Sequence, residues 1–257
     1  MDFALNEIQQ ELKEQARSWL ASRYPLDRDW DAPQDDRWSE LEELGWLDVA
    51  AADLGFVEEA LLLEEMGYAL YPGPYLAHVT GQNDVFGSGG EIQTVDPTRP
   101  LKRMPNGSSE TPRLRAAMAA EAVGIAQRAL DLGIEHAKTR LQFGKPIGTY
   151  QAVSHQLADT YTDVELARSL AYWAAWCVAE DDDQAPIAAA AAKAFATEAA
   201  VAACERSIQV HGGIGFTWEH PLHRFYKRAL WLEGLGTRPA QLRVEVADAL
   251  LVVAVTA

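Results

Sequence analysis

From Arg113 to Val253 the sequence is a succession of long helical patterns separated by breaks of only a few residues, and nothing else in it restricts the fold as strongly. The spacing predicts helices over about Leu114–Thr139, Tyr150–Glu180, Pro186–Val210, His220–Leu232 and Pro239–Val253, with Pro186 suited to a helical first turn. Long helices with short connections must run antiparallel and bury their apolar faces on one another, which makes a bundle. The N-terminal part is helical too. Asn6 and Gln9 are spaced as a capping box before Ile8, Leu12, Ala16, Trp19 and Leu20. Pro25 and the acidic run from Asp27 to Asp36 end that helix, and a short one follows at Trp38, Leu41 and Leu44. A third spans Val57–Leu70, with Ala60, Leu61, Leu63 and Met66 around the acidic pair Glu64 and Glu65, and Tyr71-Pro-Gly-Pro74 stops it.

Between His78 and Pro112 the texture changes. Gly81, Gly87, Gly89, Gly90, Pro97, Pro100 and Pro105 interrupt the pattern, and only Ile92–Val95 reads as extended. Such a stretch is too short for an independent sheet. The expected fold class is therefore all-α: an N-terminal helical domain over residues 1–79, a reduced middle domain or linker over 80–112, and a helical bundle over 113–257.

Composition narrows the function classes. At 257 residues and 48% hydrophobic the chain can bury a real core, and a formal charge of −16 disfavours nonspecific binding to nucleic acid or anionic membranes. Cys177 and Cys204 lie in Ala-rich runs with no second Cys or His at metal-ligand spacing, so both are expected to be packing thiols and no metal site is expected. The acidic, amphipathic start lacks the features of a signal peptide, and no stretch reads as a membrane span, which predicts a cytoplasmic protein.

Two short segments break the helical pattern in ways that packing does not demand. Arg140-Leu-Gln-Phe143-Gly144-Lys-Pro-Ile-Gly148, followed by Gln151, joins two long helices. An arginine fork and helix-terminal N–H groups suit a pyrophosphate, and Phe143 can stack on a heterocycle. The plain alternative is an αα-turn in which Phe143 caps the core. The second segment is Gln209-Val-His211-Gly212-Gly213-Ile-Gly215-Phe216-Thr-Trp218, whose glycines allow close backbone approach to a ligand. His211 reads as a locally bonded turn histidine, since no carboxylate or nucleophile stands at a helpful spacing.

Together, Arg-x-x-Phe-Gly-x-x-Ile-x-x-x-Gln and Gln-x-x-Gly-Gly-x-Gly on a helical bundle resemble the acyl-CoA dehydrogenase family. The similarity continues through Ala122–Leu130, Leu157-Ala-Asp159, Glu165-Leu-Ala-Arg168, Ala192-Lys-Ala-Phe195, Glu43-Leu-Gly-Trp46 and Glu64-Glu-Met-Gly67. It covers residues 1–79 and 113–257. The resemblance implies an N-terminal helical domain, a middle β-domain and a C-terminal four-helix bundle. The implied chemistry is α,β-desaturation of an acyl-CoA, the α-hydrogen leaving as a proton and the β-hydrogen as a hydride to FAD. It further implies that Arg140, Phe143, Gly144, Gln151, Gln209, Gly212 and Gly213 grip the ADP half of FAD across a subunit interface.

The sequence departs from that pattern in two places. The middle domain that supplies most flavin-ring contacts is reduced, Ile92–Arg103 resembling its last strand and exit. The base is missing as well: the two positions at which relatives carry the glutamate correspond here to Gly236 and Leu114. Glu233, three residues before Gly236, is the one replacement base considered, and Glu121 reads as structural. The chain is thus expected to be one subunit of a heteromeric FAD-dependent acyl-CoA dehydrogenase, similar to those acting on steroid side-chain CoA thioesters. A homologous catalytic subunit, in an α2β2 arrangement, would supply the glutamate and acyl pocket, and an electron-transfer flavoprotein would accept the electrons. The alternatives are a self-sufficient enzyme using Glu233 and a structural relative that binds no flavin.

Overall fold

The computed structural model describes residues 4–30, 32, 34–103 and 110–256, with side chains described to residue 251. Asp31, Pro33 and Pro105 of the patterns above lie outside it. Among the described residues ten α-helices follow in chain order: α1 (Glu7–Arg23), α2 (Trp38–Glu43), α3 (Phe56–Ala69), α4 (Tyr75–Thr80), α5 (Asn83–Phe86), α6 (Pro112–Thr139), α7 (Gln151–Ala179), α8 (Ala185–His211), α9 (Leu222–Gly234) and α10 (Pro239–Thr256). The capping box at Asn6 and Gln9 is formed, and α6 starts on a Thr111 cap with Pro112 in its first turn. α4 and α5, which the glycine and proline content hid, are the main additions to the sequence-based reading.

The core is built on α6 and α8, which pack on each other and on α3, α7 and α9. Glycines let α3 and α6 cross with backbone in contact. A Cβ on Gly124 would lie 1.8 Å from the Glu64 carbonyl oxygen, and one on Gly67 would lie 2.1 Å from that of Glu121. By length and composition α8 with its following turn is apolar enough to cross a membrane, contrary to the reading of the sequence. However, 67% of its most apolar window is buried within the protein, as in a core helix. Cys177 and Cys204 are buried and free, as expected.

Charged residues are buried where they join elements. Glu64 accepts from Lys13 at 2.9 Å, from Arg168 Nε at 3.1 Å and from the Tyr172 hydroxyl at 2.6 Å, which ties α1 and α7 to α3. Burial pushes its carboxyl up, but these partners outweigh burial and hold it below the usual value. The segment between α5 and α6 is fastened in the same way. Ile92 and Leu101 form one antiparallel bridge, and the loop between them sends Asp96 and Arg99 inward. Fully buried Arg228 of α9 binds Asp96 and, at 2.6 Å, Glu121 of α6, which also accepts from Arg99 at 2.8 Å. Glu121 is therefore a structural acid, and the loop between Ile92 and Leu101 is fastened into the core.

Candidate flavin-nucleotide clamp

Both singled-out segments, together with Gln151, lie at one end of the bundle. α7 runs antiparallel to α6 and α8, so the C-termini of α6 and α8 and the N-terminus of α7 share that end. α6 closes at Arg140, whose N–H donates to the His136 carbonyl at 2.8 Å. Leu141–Gln142 and Lys145–Pro146 then pair as a two-residue-turn hairpin with Phe143 and Gly144 at its tip. Both tip residues are left-handed, with φ of 51° and 81°, the conformation such turns prefer.

Glycine holds that conformation at no steric cost, whereas phenylalanine does not. Phe143 is also 92% exposed, so the reading in which it caps the core is ruled out. Its ring lies edge-on to Tyr150 at 6.4 Å. Arg140 is exposed, and among the described residues no carboxylate lies within salt-bridge distance of it. Gln151 is exposed at the first position of α7.

The glycine turn shows a different reason at each position. Gly212 ends α8 with φ of 66°, its N–H donating to the Gln209 carbonyl. Gly215 is steric, since a Cβ there would lie 2.8 Å from the Ile208 carbonyl oxygen. Gly213 has neither constraint: its φ is not left-handed and a Cβ would meet nothing within 4 Å. A glycine that the fold does not need leaves bare backbone facing open space, where a ligand can approach. Gln209 is exposed beside it.

Two histidines without a motif of their own, His136 and His220, join His211 and bring the two turns together. His136, one helical turn before Arg140, stacks on His211 with ring centroids 4.3 Å apart, and His211 packs on His220 at 4.4 Å. His211 Nδ1–H donates to the Ser207 carbonyl at 2.8 Å, the local role expected of it. Burial lowers the pKa of all three, and each other's charge adds to this for His136 and His220, with His220 down to about 4. The stack is neutral at pH 7.

The position of the family base is filled. Gly236 has φ of 72°, and a Cβ there would lie 2.9 Å from the carboxyl carbon of Glu110. Glu110 is held by buried Lys193 at 2.5 Å and by the Thr237 N–H at 2.8 Å, and Lys193 also donates to the Leu235 and Thr237 carbonyls. Burial raises the Glu110 carboxyl, but Lys193 and Thr237 outweigh it and keep the group ionised. A carboxylate with this many donors is a lock, not a base. No local spacing could reveal it, since 83 residues separate Glu110 from Lys193. Leu114 is buried. Glu233 is half-buried, its carboxyl raised by burial and then by Glu198 and Glu205 beside it; its charged neighbours are carboxylates of α8 and Arg238.

Residues 109–245, more than half of the chain, match the family model for the C-terminal domain of acyl-CoA dehydrogenases. Acyl-CoA dehydrogenase IpdE2 of Mycobacterium tuberculosis is 40% identical over 146 residues, a region covering 54% of this chain and 44% of that protein. The matched regions span less than half the length of the curated relatives. Among solved structures, the ChsE4-ChsE5 complex from Mycobacterium tuberculosis superposes with a TM-score of 0.76 at 21% identity, covering 98% of this chain and 99% of that one. The Tcur3481-Tcur3483 steroid acyl-CoA dehydrogenase does so with 0.76 at 23%, covering 97% and 99%. These last two similarities establish the fold, and the family-model match, together with the helical architecture it lands on, makes this chain a member of the acyl-CoA dehydrogenase family.

Proposed function

We propose that this chain is the nucleotide-clamping subunit of a heteromeric FAD-dependent acyl-CoA dehydrogenase, organised as residues 1–79, a reduced middle segment 80–112 and a bundle 113–257. One observation carries the reading: exposed Phe143, un-neutralised Arg140 and the bare backbone of Gly213 share one end of the bundle, where none of them serves the fold. Arg140 would hold the FAD pyrophosphate, Phe143 would lie against a ring, and Gln151, Gln209, Gly144, Gly212 and Gly213 would complete the contact. Bound FAD supplies the hydride acceptor. The chain's own part is to hold the ADP end so that the flavin is fixed in geometry, a condition hydride transfer needs.

Glu110 and Lys193 fill the space beside Gly236, so the glutamate that takes the α-proton belongs to a homologous partner, as does the acyl pocket. An α2β2 complex, a steroid side-chain thioester and an electron-transfer flavoprotein as acceptor complete the proposal. Two-component complexes and a steroid enzyme among the structural neighbours support it.

The test is FAD titration of the assembled complex. A charge-assisted hydrogen bond is worth about 1.5–3 kcal/mol, so Arg140→Ala should weaken FAD by roughly ten- to a hundredfold or more. Arg140→Lys should recover part of this, because an ammonium keeps the charge and loses the fork. The rate at saturating FAD should stay near normal. Unchanged affinity would remove Arg140 from the clamp.

A further inference from the structure

Two helices end at the clamp and one begins there. The C-termini of α6 and α8 each carry roughly half a negative charge, against the same positive fraction at the N-terminus of α7. The pyrophosphate proposed to bind there is a dianion, and Arg140 alone does not balance it together with the excess of C-terminal ends. Lys138 and Lys145 are exposed, with the Lys145 ammonium 4.4 Å from the Tyr150 ring centroid, so solvent screens both. A positive charge in a less screened place would complete the balance.

His136 is the group that can carry it. It lies half-buried in the last turn of α6, four residues before Arg140, so both side chains project from one face of the helix. Its ring stacks on His211 at the end of α8, 4.3 Å away. The other two rings of the stack have committed nitrogens: His211 Nδ1–H donates to the Ser207 carbonyl at 2.8 Å, and His220 Nδ1 accepts from the Leu222 N–H at 3.3 Å. Among the described residues neither ring nitrogen of His136 has a hydrogen-bond partner.

The titratable and charged groups that face the stack are Arg140 on α6, His211 on α8, and His220 and His223 beyond the glycine turn; no carboxylate is among them. Burial, then His211 and Arg140, keep the His136 pKa below its ordinary value. A tie between two turns needs no titratable ring at this position, since any aromatic side chain can stack.

We infer that His136 is the second cation of the clamp, taking one proton from solvent when the pyrophosphate settles on Arg140 and returning it when the nucleotide leaves. This rests on the nucleotide lying at Arg140, as proposed. The bound dianion cancels the repulsion from Arg140 and places opposite charge beside the ring, which favours the imidazolium. Both ring nitrogens are then donors. Because binding takes up a proton, it tightens as pH falls.

The experiment titrates FAD into the assembled complex by calorimetry at pH 7 in buffers of different ionisation enthalpy, and follows affinity from pH 8 to pH 6. The expected result is uptake of up to about one proton per FAD and roughly tenfold tighter binding at pH 6 than at pH 8, the scale for one histidine that gains its proton on binding. His136→Gln should remove the uptake and flatten the pH profile, weakening FAD by roughly tenfold at pH 6 and little at pH 8. No uptake in the unmutated complex would overturn the assignment, whether or not the variant folds. So would an equal loss of affinity at both pH values in His136→Gln, which marks a structural tie, or uptake that survives the substitution, which puts the proton elsewhere. Arg140→Ala separates the two levels. If it weakens FAD while uptake is absent, His136 alone is wrong; if it leaves FAD affinity unchanged, the clamp is wrong and His136 falls with it.

Discussion

Phe143 and Gly213 are informative because each breaks a local rule without helping the fold. A left-handed phenylalanine costs about 1–2 kcal/mol, and at 92% exposure it regains nothing from burial. Glu233 shows the opposite case. It is a plausible base by spacing alone, and burial and then Glu198 and Glu205 raise its carboxyl while Arg238 opposes them, a shift that by itself does not separate a base from a surface carboxylate. With the base on the partner, as proposed, Glu233→Gln should leave turnover of the assembled enzyme within a few-fold. A loss of about a hundredfold, the scale of a lost general base, would make it catalytic. The proposed clamp positions could be singled out in the sequence because their motifs are contiguous. Glu110 and Lys193 could not, because their meaning comes from a contact between distant segments. The part of His136 and His220 is hidden for the same reason, since both meet His211 only in the fold.

At the scale of elements, periodicity was enough to read α1, α3 and the five helices of the C-terminal part. It missed α4 and α5, which are short and set among glycines and prolines, so that tertiary packing decides them. The crossing of α3 and α6 depends on Gly124 and Gly67. Gly124→Ala should cost about 1–3 kcal/mol or more through overpacking. The melting temperature should fall by roughly 2–12 °C, and an unchanged melt would refute the close crossing. The histidine stack predicts a pH effect. His136 faces His211 and Arg140, His220 faces His211, His136 and His223, and each imidazole titrates lower in the folded protein than unfolded. Folding then favours the neutral forms. Their contribution is complete above about pH 6.5 and declines as pH falls toward about 4. Thermal melts of the wild type between pH 7 and pH 5 should show this loss, and His220→Gln should flatten it. An equal slope in that variant would remove the stack as its cause.

For the whole molecule, the reduced middle segment is held by buried charges in place of a sheet. Asp96 and Arg99 reach α6 and α9 through Glu121 and Arg228, which anchors the loop between Ile92 and Leu101 to the bundle. Among the described residues the only strands are a two-residue hairpin pair and one bridge, so no β-sheet is present to cover a flavin ring. The proposed clamp stands at one end of the bundle, and the Glu110–Lys193 pair fills the space beside Gly236. On the proposed function, a chain of this kind has one half of a flavin site and takes the other half from a partner. The most direct measurement is bound flavin, by absorbance, in the chain purified alone and purified with a co-expressed homologous subunit. A colourless lone chain and a yellow complex that loses its flavin in Arg140→Ala are expected; stoichiometric FAD with a normal flavin spectrum in the lone chain would contradict a shared flavin site.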